Sequence, residues 1–114
     1  MVSQVIEKND FIKNLIIPNG IITYNEFHID ESIPFEEQRY NYQQDILQIE
    51  FGKRFVLDVG WYPEMNPAGH FTVRAIFDND WIHPVSKIKC RTLSELKKAI
   101  EKTANIINKK MKQV

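Results

Sequence analysis

The sequence predicts an α+β fold: an antiparallel β-sheet of about four to five strands, with an N-terminal helix and a C-terminal amphipathic helix packed on it. Three observations carry that expectation. Leu47, Ile49 and Phe51 alternate with Gln48 and Glu50, and after a break at Gly52-Lys53 the residues Phe55, Leu57, Val59 and Trp61 alternate with Val56, Asp58 and Gly60. Period-two alternation on both sides of a short turn is the mark of a β-hairpin with one buried face. Phe71, Val73, Ala75 and Phe77 repeat the pattern. Finally, Thr92-Leu93-Ser94-Glu95 matches a capping box, in which the Thr hydroxyl and the Glu carboxylate satisfy free amide donors reciprocally.

The remaining elements follow in chain order. Val2, Val5, Ile6, Phe11, Ile12, Leu15 and Ile16 recur at spacings of three and four, the period of an amphipathic helix. Pro18-Asn19-Gly20 ends it, because proline cannot continue the hydrogen-bond ladder and Asn-Gly favours a turn. Residues 21–29 are rich in β-branched and aromatic side chains and read as an edge strand. Ser32 followed by Pro34 reads as the start of a short helix over residues 35–40. Tyr62 to Gly69, with two prolines and a glycine, is a loop, and Asp78-Asn79-Asp80 is a turn. Residues 85–90 form a further strand after Pro84. Leu96, Ala99 or Ile100, Thr103, Ile107 and Met111 line one face of the last helix, with Lys97, Lys98, Lys102 and Lys109 opposite. From Leu93 to about Lys110 it would be ~27 Å long.

Composition narrows the class without naming a function. The 114 residues include 43% hydrophobic and 26% charged side chains, the usage of an ordinary globular chain, and residues 1–114 read as one domain. No apolar run approaches the ~20 residues that span a bilayer. The first eight residues lack the basic flank and apolar stretch of a signal peptide. A single cysteine, Cys90, excludes an internal disulfide and a cysteine-cluster metal site. The expectation is a soluble, cytoplasmic protein without a membrane partner.

Charge is balanced in total and uneven in place. Residues 26–50 hold seven acids (Glu26, Asp30, Glu31, Glu36, Glu37, Asp45 and Glu50) against one base, Arg39. Residues 87–112 hold nine bases against Glu95 and Glu101. The first stretch suits a basic macromolecule and the second suits phosphate; either is also an ordinary solvated face.

Candidate chemistry is sparse. His28, His70 and His83 have no second histidine or cysteine at ligand spacing, so they read as structural or surface residues rather than metal ligands. Lys89 and Arg91 flank Cys90, and cations favour a thiolate, but a cysteine in this position is more often a strand-end apolar side chain. There is no glycine-rich phosphate loop and no nucleophile elbow, and neither a catalytic residue nor a cofactor is expected. Tyrosines accompany the acids instead. Tyr24, Tyr40 and Tyr42 sit in or beside the acidic stretch, and a tyrosine among carboxylates offers apolar area with a polar tip to a protein partner. Trp61 reads as a core anchor, whereas Tyr62 and Glu64 are free to face outward.

The string Leu57-Asp58-Val59-Gly60-Trp61-Tyr62-Pro63-Glu64, then Phe71-Thr72-Val73-Arg74-Ala75-Ile76 and Asp80-Trp81-Ile82-His83-Pro84, resembles a family of small bacterial immunity proteins. These belong to contact-dependent growth inhibition and related polymorphic toxin systems. Residues 27–38 and the helix from Thr92 to Ile107 fit the same likeness. The resemblance implies a non-enzymatic inhibitor that binds the C-terminal toxin domain of its cognate partner in the cytoplasm, and such toxins are commonly nucleases. It transfers no contact residues, because that surface changes with the toxin.

A nuclease site is lined with cations, so an acidic surface can occupy it and speed the encounter. The expected toxin-binding residues are therefore Tyr24, Glu26, Asp30, Glu31, Glu36, Glu37, Tyr40, Tyr42, Tyr62 and Glu64. Two other readings compete. A nucleic-acid-binding or adaptor domain would use Lys97, Lys98, Lys102, Lys109, Lys110 and Lys112, with Trp81 and Tyr62 stacking on bases. The neutral total charge weighs against it. A small enzyme would use Asp58, His70 or His83, none of which has a matched partner in the sequence.

Overall fold

The computed structural model describes residues 10–114. Its sheet has five strands in the order β1-β2-β3-β4-β5, every neighbour antiparallel and sequential. The strands are β1 (Gly20–Asn25), β2 (Leu47–Phe51), β3 (Phe55–Tyr62), β4 (His70–Phe77) and β5 (Ser86–Cys90), with helices α1 (Asp10–Lys13) and α2 (Leu93–Met111) at the two ends. The α+β class and the antiparallel sheet with terminal helices are as the sequence predicts.

The central hairpin forms where alternation places it. Leu47 pairs with Val59, Ile49 with Leu57 and Phe51 with Phe55. Gly52 takes the turn with φ +64°, a left-handed conformation that glycine adopts without steric cost. One face of the sheet is formed by Leu47, Ile49, Leu57, Val59, Val73 and Ala75, all fully buried, with Phe51, Phe55, Trp61 and Phe71 continuing it. Helix α2 covers this face with Leu96, Ile100, Ala104 and Ile107, each completely removed from solvent. Burial on this scale supplies most of the driving force, at roughly 25 cal/mol per Å² of apolar surface.

The capping box closes the start of α2. Thr92 Oγ1 accepts from Glu95 N–H at 3.1 Å, and Glu95 Oε1 accepts from Thr92 N–H at 3.1 Å. Asn108 fastens the far end to the N-terminal segment, donating to the Pro18 carbonyl at 2.8 Å and accepting from Asn19 Nδ2 at 2.7 Å.

Three local expectations are corrected. The N-terminal helical periodicity reaches only Lys13; its positions Val2, Val5 and Ile6 lie outside the described residues. Because the helix stops there, the phase is lost and Ile16 is two-thirds exposed instead of buried. Its N–H donates to the Glu101 carboxylate at 2.9 Å.

The edge strand ends at Asn25 rather than at residue 29. Asn25 Oδ1 accepts from Phe27 N–H at 3.1 Å, a turn that takes the chain out of the ladder. Phe27 and Ile29 then enter the core, and Phe27 stacks on Phe11 at 4.6 Å.

Residues 35–40 do not form one helix started by Ser32. They form two 3-10 turns, Phe35–Glu37 and Arg39–Asn41. The Ser32 hydroxyl and N–H both go to Asp30 Oδ1. The buried Gln38 side chain donates to the Asp30 and Ile33 carbonyls at 2.6 and 2.9 Å, fixing the segment as a folded loop.

Candidate functional site

The link between β1 and β2, residues 26–46, crosses one end of the sheet and carries the acidic stretch. Backbone bonds hold it against the strands: Glu26 N–H donates to the Ile46 carbonyl at 2.8 Å, and Trp61 N–H to the Gln43 carbonyl at 2.7 Å. Met65 N–H donates to the Tyr42 carbonyl at 2.7 Å, which draws the β3–β4 loop to the same place. That loop is shaped further by a cis peptide at Tyr62-Pro63 and by Trp61 Nε1–H donating to the Asn66 carbonyl at 2.8 Å.

The link, the β3–β4 loop and the end of β1 line a cleft of about 520 Å³. Tyr24, Glu26, Tyr40, Asp45 and Glu64 line it together with His28 and the amides of residues 41, 43 and 44. Among the described residues its lining holds three carboxylates and no lysine or arginine. A concave acidic wall of this kind concentrates negative potential towards an approaching cation. Tyr40 is 66% exposed and Tyr24 41%, so two phenol rings stand ready for contact. The Gln43 side chain donates to the Tyr40 carbonyl at 2.6 Å and fixes the backbone beneath that ring. His28 Nε2 lies 3.3 Å from Glu26 Oε1.

Six of the ten residues singled out from sequence meet here. Tyr24, Glu26, Tyr40 and Glu64 line the cleft, while Asp30 and Glu37 line a hollow of about 290 Å³ that shares His28, Tyr40 and Asn41 with it. The other four lie elsewhere. Glu31 turns towards α2, accepting from Leu93 N–H at 2.8 Å, where a carboxylate offsets the positive end of the helix. Glu36 is paired with Arg39. Tyr42 is buried in a ring cluster, 4.4 Å from Phe35 and 4.7 Å from Trp61, so it offers no open apolar area. Burial pushes its hydroxyl pKa up, with the Glu31 charge adding to the shift.

Tyr62 belongs to a network on the sheet face opposite α2. Asp58 is fully buried there, accepting from Arg74 at 3.0 Å and from Gln48 Nε2 at 3.1 Å. The Tyr62 hydroxyl accepts from Arg74 at 3.1 Å and donates to the Gln44 carbonyl at 3.3 Å. Burial raises the Asp58 pKa despite the opposing pull of Arg74. The Arg74 guanidinium lies 5.6 Å from the ring centroids of both Tyr62 and Trp81. Sequence reasoning missed Arg74. The available signal was phase, since Asp58 and Arg74 both fall out of step with the apolar positions and face each other across β3 and β4.

The enzymatic candidates do not converge. Asp58 is committed to Arg74, His70 lies further along the same face, and His83 pairs with Asp80 at 3.2 Å in the exposed β4–β5 loop. Of the two readings of Cys90 the strand-end one fits: burial, with Glu95 adding to it, pushes its thiol up to about 11, so its cationic neighbours do not favour a thiolate. Among the described residues, no three His, Cys, Asp or Glu side chains are grouped to hold a metal. No helix among them is long and apolar enough to cross a membrane. Compared with known proteins, the chain matches no family model, no curated sequence and no solved structure.

Proposed function

We propose that the chain is an immunity-type inhibitor that binds a cognate toxin domain, one with a basic active site such as a nuclease, and neutralises it by occlusion. The observation that carries this reading is the cleft of Tyr24, Glu26, Tyr40, Asp45 and Glu64, which joins three carboxylates to two exposed tyrosines without a lysine or arginine among the described residues of its lining. The carboxylates steer a cationic partner and the rings supply contact area, a division of labour usual in protein interfaces. Inhibition by occlusion needs neither turnover nor cofactor. The test is co-expression with candidate toxin domains, first among them any such domain found in a gene neighbouring that of this chain. Wild type restores growth, Glu26→Lys with Glu64→Lys does not, and equal protection by both would overturn the reading.

The second reading, a nucleic-acid-binding or adaptor domain, draws on the exposed Lys98, Lys102, Lys109 and Lys110 of α2. Lys97 is taken out of that set by its ion pair with Glu101. Salt-dependent binding to random nucleic acid, lost on reversing Lys98 and Lys102, would select it.

A further inference from the structure

A second cleft, of about 430 Å³, opens on the sheet face opposite α2 and is lined by residues that the acidic stretch does not include. Its walls come from Tyr62 and Pro63 at the end of β3, Thr72 and Arg74 on β4, and Lys87 and Lys89 on β5, with His70 beside them. Strand register brings these groups together: Thr72 stands opposite Lys89, and Arg74 opposite Lys87. Lys87 and Lys89 are exposed, and neither forms an ion pair among the described residues.

Arg74 is held differently from the lysines. The fully buried Asp58 fixes it, the Tyr62 and Trp81 rings flank it, and its Nε is buried without a hydrogen-bond partner. Burying a carboxylate is costly; here it places a guanidinium on the floor of a concave surface. Three cations against one carboxylate leave two positive charges in the cleft. That matches a phosphate monoester, which carries roughly −1.5 to −2 near neutral pH.

We propose that this cleft binds the phosphate monoester group of a small molecule. Arg74, Lys87 and Lys89 hold the phosphate, and its organic part lies on Tyr62 and Pro63. Phosphate alone would leave most of the volume unused, so the ligand extends beyond it. A polynucleotide fits less well, because the Gln44–Tyr62 contact that walls this cleft also borders the acidic one with Asp45 and Glu64. A chain of phosphates running onward would meet those carboxylates.

The test is titration of the 15N-labelled full chain, followed by amide shifts, with inorganic phosphate, adenosine 5′-monophosphate and a random single-stranded oligonucleotide. Both small probes should saturate, with shifts confined to residues 70–74 and 86–90 and, for the monophosphate, residues 61–64 as well, and the monophosphate should bind more tightly than phosphate. Lys87→Gln with Lys89→Gln, two exposed positions that leave the core alone, should weaken binding at least tenfold. Lys98→Gln with Lys102→Gln on α2 should leave it unchanged. Unsaturable shifts spread over all lysines, or unchanged affinity in the Lys87/Lys89 variant, would overturn the proposal. An oligonucleotide binding more than tenfold tighter than the monophosphate would overturn it in favour of nucleic acid.

Discussion

Gly60→Ala is a methyl-sized change whose outcome the fold dictates. Gly60 lies inside β3 on the face opposite α2, where residues 43–46 cross the sheet. A Cβ at this position would stand 1.9 Å from the Gln44 carbonyl oxygen and 2.8 Å from its carbon, both backbone atoms. An ordinary carbon–oxygen contact is more than ~3 Å, so the crossing segment must move by over an ångström. It is pinned on either side by Trp61 N–H donating to the Gln43 carbonyl at 2.7 Å and Ile46 N–H donating to the Val59 carbonyl at 2.9 Å. Losing both bonds costs about 2 kcal/mol, and overpacking adds roughly 1–3 kcal/mol. The total of about 3–5 kcal/mol corresponds to a fall in Tm of ~12–20 °C for a domain this size. On backbone entropy alone, Gly→Ala would stabilise by about 0.4–1 kcal/mol, so the sign separates the two effects. Thermal unfolding followed by circular dichroism reads it directly. A Tm within about 3 °C of wild type, or above it, would refute the packing of residues 43–46 on the sheet.

Four further outcomes follow from the same structure. The raised pKa of Asp58 means that its ionised form is less favoured in the fold than in the unfolded chain; the group's contribution is fully present below the unfolded pKa and is lost as pH rises through the folded value. Asp58→Asn should remove that component, so wild-type stability relative to the variant should climb as pH falls through the Asp58 titration; a flat difference curve would contradict it. Glu101, whose pKa is lowered by Lys97 and the Ile16 N–H against its burial, should show the opposite slope when wild type is compared with Glu101→Gln. Thr92→Ala should cost about 1 kcal/mol in urea unfolding by opening the capping box of α2, and no change in midpoint would show that Glu95 N–H finds another acceptor. Alkylation of Cys90 should stay slow at neutral pH and accelerate up to about pH 11; a rate already at its plateau near pH 8 would contradict the buried thiol.

The sheet was legible because its apolar positions keep strict phase. From Leu47 to Phe51, from Phe55 to Trp61 and again from Phe71 to Phe77, every second residue is apolar, and a one-residue slip would expose the whole set. Helix α2 was legible at its start, where Thr92 and Glu95 stand at capping-box spacing. The acidic link was legible in composition and opaque in shape. Tyr42 and Tyr40 are two residues apart in an irregular segment with no period, yet one is buried against Trp61 and the other is open to solvent. The segment is shaped instead by the buried Gln38 side chain, which bonds to the Asp30 and Ile33 carbonyls. A polar side chain acting as scaffold leaves no mark in hydrophobic patterning. Arg74 was hidden for a related reason, since its pairing with Asp58 depends on the register of β3 against β4 across a loop of irregular length. The cleft therefore assembles Glu64 with Glu26 through contacts distant in sequence, and only coordinates bring them together.

In the proposed function the acidic cleft is the surface that meets the partner. The direct measurement is stopped-flow association of the purified chain with a purified candidate toxin domain, one whose growth arrest the chain relieves on co-expression, at low and high salt. Glu26→Lys with Glu64→Lys should slow association by about a decade or more and flatten its salt dependence, because steering charges act on the on-rate. Tyr40→Ala should instead raise the off-rate, by an amount equivalent to about 2 kcal/mol for a contact anchor. Lys98→Glu with Lys102→Glu on α2 should leave both rates alone. If the cleft reversals associate as fast as wild type while the α2 reversals abolish binding, the partner sits on the helix and the account is wrong.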